Sequence, residues 1–94
     1  MSPHFPFNLD EAGFRTAVDR LRVAGLEFVE ERRQTYRVFE HGPDVAEIRG
    51  RLKSARGAFP AHFQSWNDKH VFVVTVTHDV EILDDVYQAL GVEA

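Results

Sequence analysis

The stretch Asp44-Val45-Ala46-Glu47-Ile48-Arg49-Gly50-Arg51-Leu52-Lys53-Ser54-Ala55 decides the fold, because it lies midway between two pairs of strand-like segments. Val45, Ile48, Leu52 and Ala55 recur at helical spacing, the stripe expected of a helix buried on one side. Gly42-Pro43 precedes the stretch as a breaker, and Asp44 with Glu47 three residues on makes a capping-box pair. This reading predicts a helix from Asp44 that stops at Gly57. Gly50 inside such a helix costs about 1 kcal/mol against alanine, which implies a close packing contact there. Arg49, Lys53 and Arg56 fall on the opposite side as a basic stripe, either a solvated face or a docking surface for an acidic partner or phosphate.

Before this stretch, Asn8 with Glu11 is another capping-box start, and Phe14, Val18 and Leu21 recur on one helical face. A helix over 9–24 is expected, stopped by Gly25. Residues 26–31 and 35–40 are both extended in pattern. One strand through all of them would span ~50 Å at ~3.3 Å per residue, so a hairpin at Arg32-Arg33-Gln34 is expected instead. After it, Phe59, Ala61 and Phe63 alternate, and Pro60 predicts an edge strand. Asn67-Asp68 supplies a turn into Lys69–Val76, whose two largely apolar faces predict a strand central in the sheet. That strand ends at Thr77-His78-Asp79, where Asp79 is the expected N-cap of a helix over Val80–Leu90, stopped by Gly91. Phe5 and Phe7, flanked by Pro3 and Pro6, are expected to seal one end of the core. The expected fold is therefore α+β: one domain over 1–94, a four-stranded antiparallel sheet with three helices on one face, in the order α-β-β-α-β-β-α.

Ninety-four residues at 44% hydrophobic content make one core and exclude a disordered chain. With no cysteine, disulfides, zinc-thiolate sites and a thiol nucleophile are excluded together. Met1-Ser2-Pro3-His4-Phe5-Pro6 has neither a basic n-region nor an apolar h-region, and no run suits a membrane span, so a cytoplasmic protein is expected. The net charge of −4 divides unevenly, at −3 over residues 1–31, +4 over 32–57 and −5 over 58–94. A basic middle in an acidic chain is a weak argument for nucleic acid. His70 and His78, eight residues apart on one strand, would stand ~26 Å from each other, so no metal site is expected within one subunit.

The element order, with Asp68-Lys69-His70-Val71 leading to Thr77-His78-Asp79, resembles the pterin-4a-carbinolamine dehydratase family, which doubles as a dimerisation cofactor of a homeodomain transcription factor. Ala24–Glu30 lies where the family has a Gly-Trp-containing segment, and Tyr36-Arg37-Val38-Phe39 where it has an Arg-x-Phe strand. The family's His-His-Pro is replaced here by Ala58-Phe59-Pro60, and its Gly-Gly-Leu-Thr by Val80-Glu81-Ile82-Leu83. The resemblance implies His78 as the retained catalytic histidine, with His62 near the place of the missing pair. Phe59, Trp66 and Asp79 become the candidate contacts to a pterin ligand, Trp66 being alternatively a turn residue packed on its own sheet. The family's reaction expels hydroxide from a ring carbon and takes a ring-nitrogen proton, which needs an acid and a base. With one of the histidines retained, the site is expected to be degenerate.

The expected function is accordingly a non-catalytic protein-binding or assembly factor, needing no cofactor, with Arg49, Lys53 and Arg56 as its partner-binding surface. A weak 4a-hydroxy-tetrahydropterin dehydratase using His78 and His62 is one alternative. A nucleic-acid module using Arg32, Arg33, Arg37, Arg49, Lys53 and Arg56 is the other. Like charges on the second helix oppose the family's tetramer and leave a homodimer through a sheet edge.

Overall fold

In the computed structural model, which describes residues 4–6, 11–67, 69–78 and 80–91, the chain is an α+β domain. Its elements are β1 (His4–Pro6), α1 (Glu11–Val23), β2 (Glu27–Arg37), β3 (Asp44–Ser54), β4 (Gly57–Trp66), β5 (Lys69–Val74) and α2 (Ile82–Leu90). Four long strands, β2 to β5, form an antiparallel meander, and the three-residue β1 joins the outer side of β5, giving the order β1-β5-β4-β3-β2. Both helices cover one face. The core between the layers holds Leu21, Phe28, Leu52, Phe63, Phe72, Val74, Val76, Ile82 and Val86.

The expected middle helix is a strand. Ala46, Ile48, Gly50 and Leu52 alternate toward the helices, while Glu47, Arg49, Arg51 and Lys53 face the other way. Helical spacing of Val45, Ile48 and Leu52 is equally present in the sequence, but β3 is laddered to β2 on one side and β4 on the other. Those two ladders, together with β-branched Val45 and Ile48 and the poor helix former Gly50, outweigh the local helical pattern. Among the described residues there are thus two helices, and the expected α-β-β-α-β-β-α order is not that of the chain. The basic helical stripe of Arg49, Lys53 and Arg56 is lost with the helix. Arg49 and Lys53 stand on the open face of β3, whereas Arg56 belongs to the β3–β4 turn and reaches Glu81 at 3.0 Å and Asp85 at 3.9 Å.

No hairpin forms at Arg32-Arg33-Gln34. β2 runs unbroken for eleven residues, a length of about 36 Å that fits the 41 Å long axis of the molecule. The register shifts between Glu30, opposite Gly50, and Arg32, opposite Arg49, so Glu31 is the extra residue of a β-bulge. Gly50 makes the bulge possible, because a Cβ there would collide with the Val29 carbonyl. The expected tight packing at Gly50 is present, between strands and not inside a helix.

Pro60 lies in β4, an interior strand, and not at an edge. Its carbonyl accepts from Thr75 N at 2.9 Å, so its missing N–H falls on the same side, at the last rung before β5 leaves the sheet. The proline removes a bond only where the ladder already ends.

Other elements stand where the pattern put them. α1 ends in a Schellman motif, with Leu26 N donating to Leu21 O at 2.8 Å and Gly25 N to Arg22 O at 3.0 Å. Gly25 supports this with φ 83°. β5 lies between two neighbours, with Phe72 and Val74 inward and Val73 buried on the other face. Asn67, at φ 47°, turns the chain between β4 and β5. α2 opens at Ile82 after Glu81 and stops at Gly91 (φ 70°), so the N-cap position is not that of Asp79. Asn8, Phe7, Asp68 and Asp79 lie outside the described residues. Phe14, Phe28, Phe63 and Phe72 pack edge-to-face with centroids 4.9–6.3 Å apart, apart from the stacked Phe63–Phe72 pair at 4.4 Å. Phe63 is fully buried at the centre of this cluster.

Candidate functional site

The helices leave the second face of the sheet open, and the strand registers arrange it in rows. Tyr36 lies opposite Val45; Gln34, Glu47 and Gln64 make the next row; Arg32, Arg49 and His62 the next. Val29, Arg51 and Pro60 follow, then Glu27, Lys53 and Ala58. The bulge at Glu31 creates this order by inverting the facing of β2. Before it the even-numbered Phe28 and Glu30 face the helices; after it Arg33 does, stacked 5.4 Å over the Phe14 ring and paired with Glu30 at 2.8 Å. Arg32, Gln34 and Tyr36 thereby reach the open side.

Glu47 is the one buried charged residue among the described residues, and it lies on this open face and not in the helix-covered core. Its Oε1 accepts from Arg49 Nε at 2.8 Å and Gln34 Nε2 at 3.2 Å. Its Oε2 accepts from Gln64 Nε2 at 3.0 Å and the Tyr36 hydroxyl at 3.1 Å. Gln64 Nε2 also donates to the Tyr36 oxygen at 3.1 Å. Desolvation pushes the Glu47 carboxyl up, but the hydrogen bonds from Arg49 and Gln64, the Arg49 charge and the Tyr36 hydroxyl outweigh it and hold the group at about 2. Tyr36 moves the other way, raised by desolvation and by the adjacent Glu47 charge. A carboxylate with four donors on two oxygens has no lone pair left for a substrate proton. Glu47 is therefore a fixed anchor that orients Gln34, Tyr36, Gln64 and Arg49, and not a general base.

Beside this network is a cavity of about 380 Å³, within the roughly 300–1,000 Å³ range of small-ligand sites, lined by Tyr36, Val38, Phe39, Pro43, Val45 and Trp66. Phe39 (72% exposed) and Val38 (55%) are large apolar side chains left in solvent at its rim. A larger open groove of about 870 Å³ runs between α1 and α2, bounded by Asp19, Arg20, Asp85 and Gln88. It has no buried charged group on its walls, so the open sheet face is the stronger candidate.

The expected site residues are dispersed. His62 is half-buried on the open face in mid-β4, while His78 is exposed in the bend after β5, where the chain leaves the sheet for the helix layer. Phe59 packs against the helix-side core. Trp66 is half-buried at the end of β4 and lines the cavity. Arg49 and Lys53 share the open face, and Arg56 is engaged with α2. Among the described residues no group of three His, Asp or Glu side chains could hold a metal ion, and no helix is long and apolar enough to cross a membrane. Sequence reasoning missed Glu47, Tyr36, Gln34 and Gln64; the signal was the strict alternation of Glu47, Arg49, Arg51 and Lys53 with Ala46, Ile48, Gly50 and Leu52.

Comparisons with family models, with curated proteins and with solved structures returned no match to this chain.

Proposed function

We propose that this chain is a non-catalytic binding module, a protein-binding or assembly factor whose working surface is the open face of the sheet. The observation that carries this reading is Glu47: the buried carboxylate is wholly spent on holding two amides, a phenol and a guanidinium at the surface. Fixed, pre-oriented polar groups beside an apolar cavity suit recognition, since little side-chain freedom is lost on binding. Aromatic and arginine side chains at the centre of such a surface are the residue types that dominate protein interfaces.

The alternative of a pterin-4a-carbinolamine dehydratase requires an acid and a base in one cleft. His62 on the open face and His78 in the bend toward the helix layer do not support that pairing. The nucleic-acid alternative requires its cations on one surface. Arg33 faces the helix layer over Phe14, Arg37 pairs with Asp44 at 3.2 Å, and Arg56 pairs with α2, leaving Arg32, Arg49 and Lys53 of the six on the open face.

The test is a dehydratase assay on a 4a-hydroxy-tetrahydropterin with the full chain and with His78→Ala. No rate above the uncatalysed reaction is expected. Turnover that His78→Ala removes would replace this reading with an enzymatic one.

A further inference from the structure

The row Arg32·Arg49·His62 sets two guanidiniums directly opposite each other across β2 and β3, with an imidazole beyond on β4. Like charges in facing positions destabilise a sheet unless something anionic answers them. Glu47 answers through Arg49 Nε alone. Among the described residues the Arg49 Nη groups have no acceptor and Arg32 has no ion-pair partner. Arg51, by contrast, is matched by Glu31 at 3.5 Å, and Lys53 lies opposite Glu27 in the register.

Arg32 and Arg49 are thus the two guanidiniums that face each other across β2 and β3 without a carboxylate between them, and Lys69, opposite Trp66, is a further cation on this face at the cavity end. Glu47 bounds the Arg32 and Arg49 pair on one side, and Glu31 and Glu27 bound it on the other. A continuous phosphate track does not fit between flanking carboxylates, but a single anionic group does. Four residues along β3, from Val45 beside the cavity to Arg49, cover roughly 13 Å. That is also the reach of an extended peptide from a side chain to the one four residues on, both pointing to the same side.

We infer that the open face binds an extended acidic peptide segment. Its apolar or aromatic side chain fills the cavity between Tyr36 and Trp66, and a carboxylate four residues away sits on Arg32 and Arg49. Gln34 and Gln64, fixed by Glu47, lie under the intervening backbone with their Oε1 atoms available to its N–H groups. This inference rests on the non-catalytic binding reading. A second copy of the chain is disfavoured as occupant, because a two-fold contact through this face would oppose the same basic row to itself. Pairing through the β2 edge is opposed as well, since that strand is bulged and six of its eleven residues are charged.

The experiment is a titration of the isotopically labelled full chain with acetyl-Phe-Ser-Gly-Ser-Glu-amide. Trp66 is the single tryptophan, so its indole N–H resonance reports the cavity, while the Arg32 and Arg49 Nε–H resonances report the basic row. Saturable shifts at both places are expected. Replacing the peptide's Glu by Gln, or its Phe by Ala, is expected to weaken binding about tenfold. Arg32→Gln should weaken it similarly with unchanged thermal unfolding, and Arg32→Lys should restore part of the loss.

Four outcomes overturn the inference: no shifts at millimolar peptide, shifts indifferent to the Glu-to-Gln change, tighter and steeply salt-dependent binding of a uridine decamer, or self-association of the free chain that moves the same resonances. A silent titration beside an inert pterin assay removes the peptide alone and leaves the non-catalytic reading. Pterin turnover lost in His78→Ala removes that reading itself.

Discussion

Glu47 and Arg49 face the same side of one strand, and the Arg49 Nε donates to Glu47 Oε1 at 2.8 Å, although Glu47 is buried and Arg49 half exposed. The pair joins an interior anchor to a surface cation. Through the anchor, Tyr36 on β2 and Gln64 on β4 are tied to the same carboxylate, so three strands share one electrostatic centre on the face that no helix covers.

Replacing Glu47 by Gln keeps the shape and exchanges an acceptor oxygen for a donor amide facing donors. Hydrogen bonds to a charged group contribute about 1.5–3 kcal/mol each when buried, and partial rescue by water at the open face lowers the sum. Glu47→Gln is expected to destabilise the fold by about 2 kcal/mol, measured by urea unfolding at neutral pH.

The same carboxyl makes stability depend on acid. Glu47 is held at about 2 in the folded chain, against an ordinary value of 4.5. The unfolded chain therefore takes up the proton first, and stability is lost as pH falls from about 4.5 toward 2, by up to about 3 kcal/mol. Above that window the contribution is fully present. Chemical unfolding at pH 7, 4 and 3 should show the decline, and Glu47→Gln should flatten it; an equal decline in the variant would assign the effect to other carboxylates.

Gly50→Ala puts a methyl group against the Val29 carbonyl at the bulge. Backbone must move to admit it, and overpacking of this kind costs about 1–3 kcal/mol, occasionally more. The expected signature is a lowered urea midpoint, with amide shifts concentrated between Val29 and Arg32. A neutral substitution would mean that β2 can abandon its bulge without penalty.

Pro60→Ala restores a donor opposite Thr75 while freeing the unfolded chain. The new hydrogen bond and the lost restraint, each about 1 kcal/mol, nearly cancel. Stability should change by less than about 1 kcal/mol, and the new amide at position 60 should be protected in hydrogen exchange. An unprotected amide would show that β5 has already left the ladder at that rung.

Much of the architecture was legible where one signal spoke alone. Phe14, Val18 and Leu21 with Gly25 defined α1, and the doubly apolar run from Lys69 defined an interior strand. The stretch from Asp44 to Ser54 carried two periods at once. Val45, Ile48 and Leu52 satisfy the helical one; Ile48, Gly50 and Leu52 against Arg49, Arg51 and Lys53 satisfy the strand one. The deciding term is the ladder of hydrogen bonds to β2 and β4, which is non-local and has no trace in the stretch itself. A strand through residues 26 to 40 would be too long for the domain, but β2 stops at Arg37, so its eleven residues fit without a hairpin at Arg32. For the site, the basic residues Arg49 and Lys53 were singled out and do share a surface, but on a strand. Glu47 was assigned to a helix cap, and its true partners come from β2 and β4, thirteen positions before it and seventeen after.

The bulge at Glu31 has a consequence for how this sequence can change. β2 is read in two phases: upstream of Glu31 its even positions face the helix side of the sheet, and downstream its odd positions do. Smoothing the bulge with Glu31 retained would slip the downstream register by one residue and turn Tyr36 and Gln34 inward and Arg33 outward. Deleting Glu31 itself would set Glu30 and Arg32 on consecutive rungs and leave their facing unchanged. Substitution alters this surface one letter at a time, whereas a one-residue slip of the ladder past Glu31 would erase it whole.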